Sequence, residues 1–465
     1  MNKTNSAPVE LGTKSIPKLL KMYAVPGIIA MTASSLYNMV DSIFIGHIPG
    51  EGTMALSGLA VTFPLMNLSA ALGTLVGVGA ATLVSVLLGQ KNYEASNKVL
   101  GNEVAMNTII GVLFACFCFA FLTPLLTFFG ATENTIGYAR EYMEIILIGN
   151  VVTHLYFGLN SMIRASGNPR LAMGLTLFTV IFNTILDPVF IFVFGLGIRG
   201  AAIATVLCQA LALLYSLRYY TRKDNILHLP KHIFKIDWRI ASESLTIGMG
   251  PFLMNAASCI VAIFINRQLL KYGGDLAIGA FGIINRINFL FVMIIMGLNQ
   301  GMQPIAGYNY GARNYSRVKE VFLRTAMWAS LVSVFWFVAS EFFPDVMVSI
   351  FTSDPDLKSI ADRGLRVMNP VVLIVGGQMV STNLFQSLGM VRKSIFLSLS
   401  RQLLFLVPFT YFLPSIWGID GVLRAFPFSD ALACIATFIL ITDLFSKFNK
   451  LKDGEDPSLL GSNIR

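Results

Sequence analysis

The chain has 465 residues, 55% of them hydrophobic and only 13% charged, with a net charge of +9. An ordinary soluble chain carries about 25% charged residues, so this one lacks the polar surface needed to face water. Soluble enzymes and soluble binding domains are excluded, and the placement of the positive charge, given below, argues against a nucleic-acid partner.

Runs of about 20 apolar residues recur along the whole chain, each long enough to cross a hydrocarbon core. The N-terminus is polar as far as Lys21 and has no small-residue cleavage site after a short apolar stretch, so the first run is expected to remain a membrane span. In chain order the pattern predicts spans at 17–46, 54–88, 95–129, 137–163, 169–195 and 199–220. After a polar stretch come 240–270, 276–306, 316–343, 360–388, 394–414 and 420–446. The expected domains are an N-terminal six-helix bundle (1–220), a cytoplasmic linker (221–239), a C-terminal six-helix bundle (240–446) and a cytoplasmic tail (447–465). The fold class is an all-α membrane protein.

Span 1 carries Pro26, which removes a backbone hydrogen bond and bends a helix, and Asp41 some four turns later. Pro26 is therefore a candidate hinge of a moving helix. Span 4 carries His154, which reads as packed or hydrogen-bonded more readily than as a proton relay. In span 5, Asn183 and Asp187 are four apart and share a helix face. Pro188 has no N–H, so the carbonyl of Thr184 loses its usual partner. A carboxylate, an amide oxygen and a freed carbonyl make a nest for a hard cation; a proton is the alternative, held by a buried acid beside a second one. Arg286 lies well within span 8, and two readings stay open for it, an ion pair across helices or a contact with the cavity. A charge at mid-membrane costs roughly 2.5–3.5 kcal/mol on insertion scales, so such residues usually mark a pathway.

The pairs Gly73/Gly77, Gly297/Gly301 and Gly307/Gly311 have GxxxG spacing and read as close helix contacts. Five cysteines lie inside apolar runs without CxxC spacing and read as small buried hydrophobes rather than metal ligands. No GxxxxGK[ST] loop is present, which leaves an ion gradient rather than ATP as the driving force.

Twenty-five of the 34 Lys and Arg fall in the N-terminal arm, the tail and the even-numbered loops, against eight in the odd-numbered loops and their flanks. Positive residues stay on the cytoplasmic side, so both termini are expected there.

The two halves repeat. Gly89-Gln90-Lys91-Asn92-Tyr93 after span 2 matches Gly311-Ala312-Arg313-Asn314-Tyr315 after span 8, 222 residues on. Gly167 and Arg170 match Gly389 and Arg392 at the same offset, and Gly197-Ile198-Arg199-Gly200 matches Gly418-Ile419-Asp420-Gly421 at 221. An ordered series at nearly constant offset marks a duplication. Six spans per half give a parallel repeat, with a cavity expected between the bundles. A two-bundle chain with almost no extramembrane domain has little besides such a cavity with which to work, and that favours transport.

Together these residues resemble the multidrug and toxic compound extrusion (MATE) family, in its prokaryotic DinF/MepA-like branch. The resemblance rests on Val40-Asp41-Ser42-Ile43-Phe44-Ile45-Gly46, on Asn183-x-x-x-Asp187-Pro188 with Gly200-Ala201-Ala202-x-Ala204-Thr205, and on Gln300-Gly301-x-Gln303-Pro304. It implies two six-helix bundles related by a pseudo-two-fold, exporting amphiphilic, often cationic, drugs across a bacterial inner membrane against H+ or Na+. It also implies a coupling site at Asp41, Asn183, Asp187 and Thr205, able to take Na+, with Tyr142 as a further member. Gln300 and Gln303 join Arg286 as candidate cavity or interbundle contacts. The implied protein is a monomer, is not an enzyme, and needs no cofactor. Its partners would be small amphiphiles and the bilayer, not nucleic acid. Another branch of the family carries an acid within span 7; Gly250-Pro251-Phe252-Leu253-Met254-Asn255 has none, which points to coupling in the N-terminal bundle.

Three alternatives would each require residues of another kind. The runner-up is a flippase for lipid-linked sugars or peptidoglycan precursor, of the same wider superfamily, which would want basic residues lining its cavity. An integral-membrane enzyme would need a His/Asp or Ser/His cluster near one face. A major-facilitator carrier would show a Gly-x-x-x-Asp-Arg loop after span 2.

Overall fold

The computed structural model describes residues 7–222, 224–230, 235–352 and 354–456. Residues 223 and 231–234 of the expected linker and 457–465 of the expected tail lie outside that set. Among the described residues all regular structure is helical.

Ten helices are long and apolar enough to cross a bilayer, and two bent pairs bring the number to twelve when each pair is taken as one span. Spans 1–3 are Ile16–Gly46, Gly52–Gly89 and Tyr93–Ala120; spans 5–9 are Pro169–Val193, Ile198–Thr221, Trp238–Gly274, Leu276–Gly311 and Tyr315–Phe342; spans 11 and 12 are Val391–Trp417 and Ile419–Lys450. Span 4 is Ile136–Ile148 followed by Asn150–Ala165, bent by 55°, and span 10 is Pro355–Met368 followed by Val372–Ser387, bent by 61°. Every expected span has its counterpart, with ends a few residues apart except in span 3, which stops at Ala120, a separate short helix, Leu122–Phe128, covering the rest of its expected run. Large apolar side chains such as Phe335, Phe412, Phe438 and Ile439 stay exposed on these helices, as a hydrocarbon solvent permits.

Local chemistry sets the helix ends. Asn92 Oδ1 accepts from Ala95 N at 3.1 Å to open span 3, satisfying one of the donors every helix start leaves free. Span 2 closes with Asn92 N donating to Leu87 O and Lys91 N to Leu88 O, and span 8 closes with Asn314 N to Asn309 O and Arg313 N to Tyr310 O. This double bond is the Schellman arrangement and needs a left-handed residue. Lys91 and Arg313 supply it with φ of 60° and 59°, despite their side chains.

The duplication read from the sequence is therefore written into the backbone. Gly197 (φ 55°, ψ −137°) before span 6 and Gly418 (φ 57°, ψ −133°) before span 12 share one conformation. Spans 5 and 11 each contain a π-helical stretch, Val189–Val193 and Ser400–Leu406. Even a mismatch in the repeat is compensated. Arg199 pairs with Glu141 at 3.2 Å, whereas at the matching positions Asp420 pairs with Arg363, the same bridge with its signs exchanged.

The chain divides into two compact units. One comprises Ile29–Phe252 with the described residues up to Lys14; the other comprises Ser15–Ile28 with the chain from Leu253 onward. Span 1 thus begins in the second unit and ends in the first, the change falling two residues after Pro26. Span 7 does the reverse, changing one residue after Pro251. Within the second unit, span 8 meets the first half of span 1 almost backbone to backbone: a Cβ on Gly301 would lie 2.5 Å from Ala24 Cα, and one on Gly27 would lie 2.6 Å from Gly297 O. The GxxxG reading of Gly297/Gly301 is a close helix contact here.

The cysteine reading needs one correction. Cys118 and Cys208 are buried and Cys259 and Cys434 half-buried, but Cys116 is exposed; in a membrane helix an apolar run does not separate an inward face from one turned to lipid.

Candidate functional site

Four helical segments of the first unit bring polar groups together. Span 1 contributes Tyr37 and Asp41, one turn apart on one face; the first half of span 4 contributes Tyr142; span 5 contributes Asn183 and Asp187; span 6 contributes Thr205. Asp187 is fully buried, Asp41 is 6% exposed, and Asn183 and Tyr142 are buried.

The bonds run in a ring. Tyr37 Oη and Thr205 Oγ1 are 2.9 Å apart; Thr205 Oγ1 donates to Asn183 Oδ1 at 3.4 Å; Asn183 Nδ2 donates to Asp187 Oδ1 at 2.7 Å. The carboxyls of Asp187 and Asp41 lie side by side, and one helical turn of span 1 closes the circuit back to Tyr37. The phenols of Tyr37 and Tyr142 both lie within electrostatic reach of both carboxyls. Asp41 Oδ1 and Asp187 Oδ2 receive no N–H or O–H from any described residue. No Lys or Arg among the described residues pairs with either acid.

Two carboxyls side by side at low dielectric repel each other when both are charged, a strain that a shared proton or a bound cation would relieve. The donor set fits a hard cation, being oxygen throughout: two carboxylates, one amide and hydroxyls. Among the described residues no group of three or more His, Cys, Asp and Glu is arranged to hold a metal ion, so a transition-metal reading has no support.

Local sequence explains the geometry. The i, i+4 spacing aims Asn183 Nδ2 at Asp187. Pro188 ends the regular α-helix, and the chain continues as the π-helical Val189–Val193. Gly200 lets span 6 approach that segment, since a Cβ there would lie 2.7 Å from Phe190 C and 2.8 Å from Ile191 N. This approach sets the register that carries Thr205 to Asn183.

The MatE family profile matches residues 26–189 and 247–412, taking in both halves and the ring's Asp41 and Asp187. The chain belongs to the MatE family. Members of that family are multi-pass membrane transporters and not enzymes. The chain is 27% identical over 424 residues to the multidrug export protein MepA of Staphylococcus aureus strain MSSA476, covering 91% of this chain and 93% of the relative. It is also 27% identical over 427 residues to MepA of Staphylococcus haemolyticus strain JCSC1435, covering 92% and 93%. A solved structure described as an outward-facing conformation of a multidrug resistance MATE family transporter of the MOP superfamily superposes with a TM-score of 0.90. It is 23% identical and covers 97% of this chain and 100% of that one; it shares the fold.

Of the residues singled out from this MatE-family sequence, Asp41, Asn183, Asp187, Thr205 and Tyr142 come together. The rest lie elsewhere. Pro26 sits in the half of span 1 that belongs to the second unit, and Gln300 and Gln303 lie in the same unit, both half-buried on span 8. Arg286 is exposed on span 8 and makes no ion pair among the described residues. His154 is buried away from the ring, bonded to Ser69. Tyr37 was missed; its signal was present, since it stands four residues before Asp41. Glu103 was passed over as a charge near a helix end, although it is 1% exposed. Arg401, inside span 11, donates from Nε to Asp430 Oδ1 of span 12 at 2.6 Å.

Proposed function

We propose that the chain is a cation-coupled antiporter that exports amphiphilic, often cationic, small molecules across a bacterial inner membrane, with both termini cytoplasmic. The observation that carries this reading is the ring at Asp41 and Asp187: two buried acids in contact, oxygen-lined, with no basic partner among the described residues. Such a pair costs several kcal/mol to keep charged in the membrane, so it takes up H+ or Na+ from the side where either is abundant. Loading cancels charge and disfavours a bound cationic drug; release on the other side restores the acid that attracts the next one.

Asn183 and Thr205 orient the carboxyls, and Tyr142 and Tyr37 cover them. Pro26 is the hinge. It leaves the carbonyl of Met22 without its usual donor, two residues before span 1 passes from one compact unit to the other. The MepA relatives' names as multidrug export proteins support the substrate class.

The test is efflux of a fluorescent lipophilic cation from proteoliposomes under a pH gradient alone and under a Na+ gradient alone, normalised to inserted protein. Efflux is expected under one of them, and Asp41→Asn and Asp187→Asn, which nearly keep the volume of each acid, should each abolish it while leaving insertion intact. Wild-type efflux from both variants would remove the coupling role from this ring. Pro26→Ala should lower efflux while leaving ion binding unchanged. An equal loss of both would make Pro26 a fixed bend.

A further inference from the structure

A second buried acid stands outside the ring. Span 3 presents Glu103, Asn107 and Gly111 at i, i+4 and i+8, on one face, toward His154 and Gly158 of span 4. Glu103 is 1% exposed, Asn107 0% and His154 1%. Glycine makes the room. A Cβ on Gly158 would fall on Glu103 Oε1 and lie 2.7 Å from Asn107 Nδ2, and one on Gly73 would lie 3.2 Å from the ring of His154.

The bonding leaves a specific deficit. Asn107 Nδ2 donates to Glu103 Oε1 at 2.7 Å and to His154 O at 3.5 Å, which uses both of its hydrogens. Glu103 Oε2 and Asn107 Oδ1 have no hydrogen-bond partner among the described residues. Both are acceptors. A single proton on Oε2 makes that oxygen a donor, for which Asn107 Oδ1 is the acceptor left open on the same face. The alternative, a bare carboxylate, would leave a buried charge held by the Asn107 N–H alone and two acceptors without donors, which costs several kcal/mol.

The neighbours offer no other counter-charge. From span 4 comes His154, whose Nε2 lies 3.0 Å from Ser69 Oγ. Ser69 gives its own proton to Asn150 Oδ1 at 2.5 Å, and Asn150 Nδ2 donates to Gly111 O at 3.0 Å, which fixes that amide. Nε2 therefore carries the ring hydrogen, and Nδ1 is a bare acceptor, also without a partner. From span 6 comes Tyr220, which donates to Leu159 O at 3.4 Å and is in electrostatic contact with Glu103. Span 2 contributes the glycines Gly73 and Gly77. No cationic side chain among the described residues pairs with Glu103.

The duplication supplies a control. At the offset of 222, Glu103, Asn107, His154 and Gly158 correspond to Thr325, Ala329, Gly376 and Val380. The matching helix pair of the second unit still packs closely, since a Cβ on Gly376 would lie 2.7 Å from Ala329 O. This helix contact thus forms without an acid, an amide or an imidazole, so packing alone does not account for them in the first unit.

We infer that Glu103 and Asn107 form a second proton-binding site in the first unit, separate from Asp41 and Asp187, with Glu103 Oε2 holding an exchangeable proton on Asn107 Oδ1. This site does not depend on the transport reading above.

The test is infrared difference spectroscopy of purified protein carrying Asp41→Asn and Asp187→Asn, which removes the ring's own carboxyl signals. A protonated-carboxyl C=O band is expected at neutral pH, shifting on transfer to D2O and lost when Glu103→Gln is added. Asn107→Leu should keep the band and move it to higher frequency, because its hydrogen bond is gone. Selective 13C-glutamate labelling of the wild-type chain should shift the same band, which covers the case in which a variant does not fold. The inference is overturned by absence of a glutamate band, by a band that D2O leaves unmoved, or by one that added Na+ abolishes, since the last marks a cation site.

Discussion

Thr205→Val tests the ring at the hydroxyl that joins its two sides. Valine keeps the branched shape and removes one oxygen. The 2.9 Å contact with Tyr37 is lost, worth about 1 kcal/mol net. The 3.4 Å donation to Asn183 Oδ1 is long and contributes little itself, but its loss strips a buried acceptor of a donor, at about 1 kcal/mol, the low end for such groups. The total is about 2 kcal/mol. If the hydroxyl serves the loaded state alone, this is about 30-fold in affinity for the coupling ion; if it serves loaded and empty states equally, stability falls by the same amount and affinity does not change. A ligand that binds only the folded protein raises its Tm with concentration, so unfolding of purified protein across a Na+ series and across a pH series reads the two cases apart. The expected result is a midpoint displaced about 30-fold in one series, restored to within a few-fold by Thr205→Ser. Midpoints within threefold of wild type in both series would refute the reasoning and leave Thr205 as a packing residue.

Gly158→Ala should destabilise the chain by about 1 kcal/mol, overpacking of about 1–3 kcal/mol being partly offset by about 1 kcal/mol of helix propensity. Thermal unfolding should show that loss relieved when Glu103→Ala is made in the same chain. Gly301→Leu drives a side chain into backbone that cannot rotate away, and should cost about 3 kcal/mol or more, read as loss of folded protein on detergent extraction. Arg401→Leu strands Asp430, whose side chain is 13% exposed; because Arg401 itself is about one-third exposed, the loss should be about 2 kcal/mol, below the 3–5 kcal/mol of fully buried pairs, and Asp430→Leu in the same chain should recover most of it. In intact cells an impermeant thiol reagent should reach a cysteine placed at Glu51 and miss one at Lys223; the reverse pattern would invert the proposed orientation.

The spans were legible because a bilayer demands long apolar helices, and composition over 20 residues averages out local ambiguity. The repeat was legible because two loops kept the residues of one helix termination, down to an Asn opening the next helix. Asn183 and Asp187 could be paired from spacing alone, since i and i+4 must face each other. Which helices then face that pair could not be read, because spans 1 and 6 carry only scattered polar residues and lack a polar stripe to orient them. Tyr37 went unassigned for that reason. Glu103 was hidden differently: it lies ten residues into span 3, close enough to the start to pass for a charge near the interface, and only the contact with Gly158 shows that it points inward. The partner of Arg401 could not be read either, because Asp430 lies on the next helix and the sequence does not show which faces of spans 11 and 12 meet.

The bridge of Arg199 with Glu141, reversed as Asp420 with Arg363, records a passage between two histories. The two halves repeat one six-span segment, and a change of both charges in either copy, through a neutral or a like-charged pair, yields the reversal. That step was open because three of the four side chains remain about 40% or more exposed, where a pair is worth at most about 1 kcal/mol. No such route leads from Thr325 and Ala329 to a buried acid and amide, whose single changes are costly. The surface bridge could drift freely while the interior chose sides, and the halves ceased to be exchangeable parts: a chimera repeating the first half twice would keep its bridges and double its acids.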